Sequence, residues 1–165
     1  MKKMMKCIAV VLSVLFLFSS SYCMASATLE SASQNALAPA FSLKTMKGNT
    51  VALSDMKGKN VLLFFFATWC PWCRNKIPDL VKNEARYKKD NLEFLLIDAG
   101  ESQAKVSSFA EKQDVPFDIL LDQDMKVSQD YDVVGVPTFV LISKDGRIVY
   151  SGNEMPADYR KLIGE

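Results

Sequence analysis

The sequence predicts an α/β sandwich built on a mixed β-sheet. Two segments, VLLFFFA at 61–67 and LEFLLID at 92–98, are typical of strands buried in the middle of a sheet. A segment with apolar residues at helical spacing separates them, which indicates a strand–helix–strand unit. Two further apolar segments flank the turn Lys144-Asp145-Gly146, which indicates an antiparallel hairpin later in the chain.

Local signals predict the other elements in order. Segments 41–44 and 50–53 flank a Lys47-Gly48-Asn49 turn and predict an N-terminal hairpin. Residues 54–58 predict one helical turn with a Ser54 cap and a Gly58 stop. The later predicted elements are helices at 71–89 and 102–113, a short strand at 117–121, a helical turn at 125–131, strands at 138–142 and 147–151, and a last helix at 156–163.

The N-terminus has the pattern of a secretory signal peptide. Three lysines, at positions 2, 3 and 6, precede an apolar stretch at 7–18, and Ala25-Ser26-Ala27 fits a cleavage site. The apolar stretch is shorter than the roughly 20 residues that a membrane-spanning helix needs. We predict a cleaved signal at 1–27; the alternatives are an uncleaved membrane anchor and lipidation of Cys23.

Three segments follow from this assignment: the signal at 1–27, a flexible leader at 28–38, which is small and polar, and a folded domain at 39–165. Removal of the signal removes Cys7 and Cys23, so Cys70 and Cys73 remain and can pair with each other. Export predicts a periplasmic or otherwise extracytoplasmic location, soluble or tethered, where a disulfide persists. The near balance of 20 basic and 19 acidic residues gives no reason to expect nucleic acid as a partner.

The cysteine pair lies where a buried strand meets the start of a helix. Pro71 suits the first helical position, because it has no N–H to leave unpaired. Cys70 is then the N-cap, where free backbone N–H groups and the helix dipole favour a thiolate. Cys73, one turn further on, is predicted to be the more buried thiol. We therefore predict a redox-active pair in which Cys70, partly exposed, is the nucleophile and Cys73 resolves the mixed disulfide.

Other uses of the pair fit less well. A c-type haem site requires C-x-x-C-H, whereas Arg74 follows Cys73 and the sequence contains no histidine. A zinc site needs two more ligands, ordinarily Cys or His. A structural disulfide across so short a loop stabilises weakly, and it stays open as the alternative to redox exchange. We predict no metal and no cofactor.

Two stretches resemble the thioredoxin superfamily. They are FFFATWCPWCRNKIP, with Pro78 five residues after Cys73, and VVGVPTFVLISKDG. The segment APAFSLKTMKGNTVALSDMKGKNVLLFFFATWC resembles the TlpA-like (ResA/CcmG-type) branch, whose members are extracytoplasmic thiol-disulfide oxidoreductases, several of which serve cytochrome c maturation. Over about residues 39–153, this resemblance implies a thioredoxin-like three-layer sandwich with a central mixed β-sheet, helices on both faces and an N-terminal β-hairpin.

The resemblance also implies substrate-binding roles. Pro137 would be cis and lie against the cysteines, leaving the backbone at Val136 free to pair with an extended substrate. Trp69 would pack as a lid beside Cys70, with a core aromatic as the alternative. Trp72 would be exposed and form an apolar patch for a partner, unless it only packs locally. An ordinary trans proline is the alternative at position 137.

The sequence departs from the family pattern at two positions. Phe64 stands where cytosolic thioredoxins have a buried aspartate, and Lys76 stands where some TlpA-like proteins have a glutamate. Lys76 is either an ammonium that stabilises a thiolate or a solvated surface lysine. Asp98 and Glu101 end the strand at 92–98, at the sheet edge where Cys70 is expected, so either is a candidate proton acceptor for Cys73. Their alternative role is in capping the following helix.

We therefore expect a thiol-disulfide oxidoreductase, with reduction of protein disulfides favoured because the motif contains no histidine to support a strong oxidant. The expected partners are disulfide-containing envelope proteins, apocytochrome c among them, and a membrane electron donor. Three other functions stay open: a disulfide-donating oxidase or isomerase, a peroxiredoxin, and a redox-inert peptide-binding module. The peroxiredoxin is disfavoured because Thr68 lies two residues before Cys70, whereas a peroxidatic site places threonine three before its cysteine.

Overall fold

Seven strands and four α-helices make up residues 35–164, the part of the chain that the computed structural model describes. In chain order they are β1 (Ser42–Lys44), β2 (Thr50–Ala52), β3 (Asn60–Phe66), α1 (Pro71–Lys89), β4 (Leu92–Ala99), α2 (Gln103–Lys112), β5 (Ile119–Asp122), α3 (Lys126–Asp130), β6 (Thr138–Ile142), β7 (Ile148–Gly152) and α4 (Tyr159–Leu162). The predicted helices and strands are confirmed. The predicted signal peptide at 1–27 and leader residues 28–34 lie outside the described residues.

The main sheet has five strands in the order β5-β4-β3-β6-β7. β3 pairs in parallel with β4, and β4 pairs in parallel with β5. β6 runs antiparallel to both β3 and β7, so the sheet is mixed, as predicted. All residues of β3 are buried, because its continuous apolar sequence lies in the centre of the sheet with a core on each face.

Alternate residues of β3 belong to different cores. The first core takes Leu62, Phe64 and Phe66 and is covered by α1, α2 and α4 through Ile77, Leu80, Val106, Ala110 and Tyr159. The second takes Val61, Leu63 and Phe65 and is covered by α3 and the N-terminal segment through Phe41, Val127 and Tyr131. The predicted three-layer arrangement with helices on both faces is therefore confirmed.

Both edges of the five-stranded sheet are covered by other parts of the chain. The β1–β2 hairpin reaches β5, where the Met46 N–H donates to the Ile119 carbonyl at 2.8 Å. On the other edge, the N–H of Asn35 donates to the carbonyl of Ile148 at 2.7 Å, and the N–H of Ile148 donates to the carbonyl of Ala36 at 2.9 Å. Residues 35–38, which the sequence analysis assigns to the flexible leader, are thus hydrogen-bonded to β7 and its turn.

The turn after β2 differs in detail from the prediction. It is a 3₁₀ turn over Leu53–Met56, and its first free N–H, that of Ala52, donates to the carboxylate of Asp55 at 2.9 Å. Ser54 lies inside the turn, so the Ser54 cap was wrong, while Gly58 follows the turn with a φ of 82°. Within residues 35–164, no helix has the length and apolar character needed to cross a bilayer.

Candidate active site

Cys70 occupies the N-cap of α1, directly after the turn that ends β3. Its backbone is extended, with φ −81° and ψ 112°, and Pro71 is the first helical residue. The backbone N–H of Cys73 donates to Cys70 Sγ at 3.2 Å. The sulfur of Cys70 therefore receives one of the free N–H groups of the helix start, which is the arrangement that stabilises a thiolate.

Both cysteines are free thiols and both are buried. Cys70 is 3% exposed and Cys73 is fully buried, so Cys73 is the more enclosed, as expected. The expectation that Cys70 is partly exposed was wrong, because the loop before β6 covers it. Burial, followed by the hydrogen bond with Cys70, raises the pKa of Cys73 to about 12, so Cys73 is protonated at neutral pH.

The loop that covers Cys70 contains a cis peptide bond between Val136 and Pro137, as the resemblance implies. Cys70 Sγ lies 3.7 Å from the carbonyl oxygen of Val136 and donates to it. The Thr138 hydroxyl donates to the carbonyl of Gly135 at 2.7 Å and closes the loop on itself. The nucleophile candidate and the predicted peptide-binding backbone are therefore in contact.

The two tryptophans of the motif lie on the surface beside the thiols. Trp69 is 64% exposed and Trp72 is 72% exposed. Trp69 is therefore not a core aromatic, and it lines a cleft with the loop that holds Val136. Two large apolar side chains exposed next to a buried nucleophile form a surface that an apolar partner can cover.

Asp98 and Glu101 lie at the end of β4, on the cysteine side of the sheet. Asp98 is level with Phe66 in the β3–β4 register, and Phe66 shares a core with Cys70 and Cys73. One Asp98 carboxylate oxygen accepts the Glu101 N–H at 3.0 Å, and the other has no hydrogen-bond partner within residues 35–164. Burial, and then the neighbouring Glu101 carboxylate, raises the pKa of Asp98 to about 8.

Glu101 is held in its ionised form by its contacts. Its carboxylate accepts the backbone N–H of Thr68 at 2.5 Å and the Thr68 hydroxyl at 2.9 Å, and pairs with Lys105 at 2.5 Å. Burial alone would raise the pKa of Glu101, but the Lys105 ammonium and the Thr68 N–H lower it below its usual value. Glu101 thus fixes the turn between β3 and Cys70. The helix-capping alternative finds no support at Ser102, whose side chain makes no cap hydrogen bond.

The structure shows the contacts of the two residues that depart from the family pattern. Phe64 is fully buried and stacks on Phe139, with ring centroids 4.6 Å apart. The ammonium of Lys76 forms an ion pair with Glu154, after β7, and its side chain is 28% exposed. Lys76 therefore connects α1 to the segment after β7.

Sequence reasoning missed three residues near the thiols. Thr68 binds Glu101, as described above, and Met125 and Val134 line the same cleft as Trp69. Val134 is fully exposed and Met125 is 43% exposed. The sequence does not indicate this exposure, because both residues are apolar. Only the spatial meeting of three separate loops identifies them.

Comparison with known proteins agrees with this geometry. The AhpC/TSA family matches residues 35–151. The thiol-disulfide oxidoreductase ResA of Bacillus subtilis is 36% identical over 139 residues, which are 81% of this chain and 78% of ResA.

Solved structures of the same class share the fold. The thioredoxin domain of a thiol-disulfide oxidoreductase from Bacteroides vulgatus superimposes with a TM-score of 0.67 at 28% identity, covering 79% of this chain and 93% of that one. A secreted Mycobacterium tuberculosis disulfide oxidoreductase, described as homologous to E. coli DsbE, gives a TM-score of 0.63 at 25% identity, covering 75% and 94%. The chain therefore belongs to the AhpC/TSA family, and it is a thioredoxin-like thiol-disulfide oxidoreductase of the ResA and DsbE type.

Proposed function

We propose that this chain reduces disulfides of exported proteins outside the cytoplasm, using Cys70 and Cys73 as the dithiol. The observation that carries the proposal is the position of Cys70 Sγ, which takes the Cys73 N–H on one side and faces the Val136 carbonyl on the other. A nucleophilic sulfur is thereby placed next to a backbone segment that an extended substrate chain can pair with.

The reaction has two exchange steps. The Cys70 thiolate attacks one sulfur of the substrate disulfide, and the other substrate sulfur leaves as a thiolate and takes a proton. Cys73, once deprotonated, then attacks Cys70 Sγ and releases the second substrate sulfur. Two electrons pass from the dithiol to the substrate, and Cys70 and Cys73 end as a disulfide. A dithiol donor at the membrane must reduce that disulfide before the next turnover.

The second step needs a proton acceptor, because the pKa of Cys73 is about 12. We assign this role to Asp98, which is buried on the same face of the sheet and has one carboxylate oxygen free of hydrogen bonds from residues 35–164. With a pKa of about 8, Asp98 is mostly protonated at neutral pH, and its ionised fraction is a stronger base than an ordinary carboxylate. Glu101 is already occupied by Thr68 and Lys105, and Lys76 by Glu154.

The proposed location rests on the N-terminal sequence pattern and on the relatives. Residues 1–27 have the composition of a secretory signal, and one structural relative is described as secreted. Several members of the TlpA-like branch that this chain resembles serve cytochrome c maturation, so the cysteines of apocytochrome c are the first substrate to test.

An oxidase that donates disulfides would use the same dithiol in the opposite direction. The reduction potential separates the two, since it is about −270 mV for the reductant thioredoxin and about −120 mV for the strong oxidant DsbA. Equilibration of the full chain with dithiothreitol or glutathione buffers, followed by Trp fluorescence, measures it. We expect a value near that of thioredoxin.

Peroxide reduction is disfavoured by the surroundings of Thr68. Its hydroxyl donates to Glu101 at 2.9 Å, so it is committed to that carboxylate. Turnover of hydrogen peroxide by the purified chain at a rate comparable to disulfide reduction would support the peroxiredoxin alternative.

Trapping of substrates tests the mechanism directly. Cys73→Ser should accumulate mixed disulfides on Cys70 with envelope proteins, because the resolving thiol is gone. Cys70→Ser should trap none and should lose disulfide reduction. Non-reducing gels with mass spectrometry provide the measurement. Absence of trapped partners with Cys73→Ser, or equal trapping by both variants, would contradict the exchange mechanism.

A further inference from the structure

We propose that the cleft beside Cys70 selects substrates that carry a large apolar residue next to the reacting cysteine, and that Met125 is its specificity-determining residue. This inference rests on the proposed function, because it concerns the substrates of the same dithiol. The cleft has a volume of about 510 Å³, and the residues that define it here are Trp69, Gly100, Met125, Val134 and Val136.

The cleft is apolar because its charged members are already paired. Glu101 and Lys105 lie at its wall and bind each other at 2.5 Å, and Glu101 also binds Thr68. What remains for a ligand is the surface of Trp69, Met125 and Val134, which are 64%, 43% and fully exposed. Burying such surface is favourable at about 25 cal/mol per Å².

Met125 is held in the cleft by its backbone. It is in the left-handed region, with φ 58° and ψ 18°, a conformation that is uncommon for a side chain of this size. Its N–H donates to the Asp122 carbonyl at 3.0 Å, and the Asp122 carboxylate accepts the N–H groups of Val127 and Ser128 at 3.1 and 2.7 Å. Several hydrogen bonds thus hold the turn around a residue with a strained backbone. Strained residues that are held in this way recur at ligand-contacting sites.

Gly100 provides the room that the Met125 side chain occupies. A Cβ added at Gly100 would lie 3.2 Å from Met125 Cγ and 3.3 Å from Met125 Sδ. Gly100 also has a φ of 88° and donates its N–H to the Asp122 carbonyl at 3.0 Å. The same carbonyl therefore binds both residues and keeps the thioether against the Gly100 backbone.

The kind of ligand that fills the cleft follows from the position of the cleft next to the thiol of Cys70. Val136 lines the cleft and presents its carbonyl to Cys70 Sγ at 3.7 Å. A substrate cysteine bonded to Cys70 must lie next to Val136, and in an extended chain the next residue is about 3.3 Å further along. A neighbouring side chain of the substrate is then within reach of Met125 and Val134. If that side chain is apolar, its burial against them stabilises the complex.

Three short peptides, each joined to glutathione as a mixed disulfide, test the inference: Leu-Cys-Ser, Ser-Cys-Leu and Ser-Cys-Ser. The reduced full chain reacts with each in single turnover, and Trp fluorescence gives the second-order rate constant. In each reaction the dithiol becomes a disulfide, and the peptide and glutathione leave as thiols. One of the leucine peptides should react about tenfold faster than Ser-Cys-Ser, as expected for loss of an apolar contact in a pocket.

The variants assign that preference to the cleft. Met125→Ala and Val134→Ser should each reduce the leucine preference by at least about threefold, since each removes contact surface equivalent to a methylene or more. Leu37→Ser is the matched control, because Leu37 is 68% exposed but pairs with Arg147, at the end of the sheet opposite the cysteines. It should leave the preference unchanged.

The outcomes that would overturn the inference are distinct from failure of the function. Equal rate constants for the three peptides would contradict a selective cleft while leaving disulfide reduction intact. A leucine preference that survives both Met125→Ala and Val134→Ser would contradict the role of these residues. If no peptide oxidises the dithiol, the proposed function itself is wrong, and the specificity inference is wrong with it.

Discussion

Asp98 has surroundings that are unfavourable for a negative charge. It is fully buried, it lies beside the ionised Glu101, and it has a pKa of about 8. In an unfolded chain, the pKa of an aspartate is about 3.9. Between these two pH values the folded state binds more protons than the unfolded state. The stability that Asp98 contributes is therefore complete below about pH 4 and is lost as the pH rises through about 8.

Asp98→Asn should weaken this pH dependence. From pH 5 to pH 8 the wild type should lose on the order of 2–4 kcal/mol of unfolding free energy more than Asp98→Asn, whose amide does not ionise. Cys73 does not interfere, because its pKa of about 12 and the ordinary thiol value both lie above this range. Urea denaturation of both proteins at pH 5 and pH 8 gives the difference, and parallel profiles would contradict the assignment.

The same variant should slow the second exchange step. Release of substrate from the Cys70 mixed disulfide should fall by about 100-fold, as for loss of a general base. A quench-flow measurement of glutathione release gives the rate. An unchanged release rate in a protein whose stability profile has flattened would leave Asp98 as a buried structural acid and exclude it as the base.

For individual residues, the sequence predicted what local rules determine. Proline at the first helical position and a cysteine before it predict the N-cap at Cys70, and this was confirmed. The Thr68–Glu101 hydrogen bonds join residues 33 positions apart through the exact shape of two loops, so no local rule predicts them. Met125 gave no signal either, because a left-handed residue is expected to be Gly, Asn or Asp.

The turn between β5 and α3 depends on a single carboxylate. Asp122 is fully buried and accepts hydrogen bonds from the N–H groups of Val127 and Ser128 and from the Ser128 hydroxyl. These contacts begin a helix of only five residues, α3, which has little stability of its own.

Asp122→Ala should lower the unfolding free energy by about 2–4 kcal/mol, because it leaves two buried N–H groups without their acceptor. Asp124→Ala is the matched control: Asp124 is exposed and accepts one N–H, that of Lys126, at 3.1 Å. Asp124→Ala should lower the unfolding free energy by about 1 kcal/mol or less. Denaturant titrations measure both, and equal effects would contradict the assigned role of Asp122.

Helices and strands were predicted closely, because periodicity and turn residues mark them. An error occurred where one residue decides a boundary, as at Ser54. The burial of Tyr87 of α1 against Tyr159 of α4 was not predicted. That contact exists only once the last helix has packed on α1, so the spacing within α1 does not predict it.

Residues 35–164 form two cores that share one sheet. Phe64 packs against Phe66 and Phe139 in the first core, and Phe65 packs against Tyr131 in the second. The two side chains are neighbours in sequence but lie on opposite faces of the sheet, and they contact different aromatic rings.

Phe64→Leu and Phe65→Leu should each lower the unfolding free energy by about 1–2 kcal/mol, and their effects should add within about 0.5 kcal/mol. Both proteins should unfold in one transition, because β3 contributes side chains to both cores and cannot unfold in only one of them. Circular dichroism and Trp fluorescence during urea denaturation should coincide; separate transitions would indicate that the cores unfold independently.

The covered edges of the sheet have a consequence for the proposed reduction of disulfides in exported polypeptides. Exposed strand edges template pairing with any extended chain and lead to aggregation. Here Met46 binds the outer side of β5, and residues 35–38 bind the outer side of β7. Within residues 35–164, the hairpin and the N-terminal segment thus block the pairing of other extended chains with the outer strands of the sheet. Under the proposed function, an incoming substrate chain would instead pair at the backbone beside Val136, next to the thiol of Cys70.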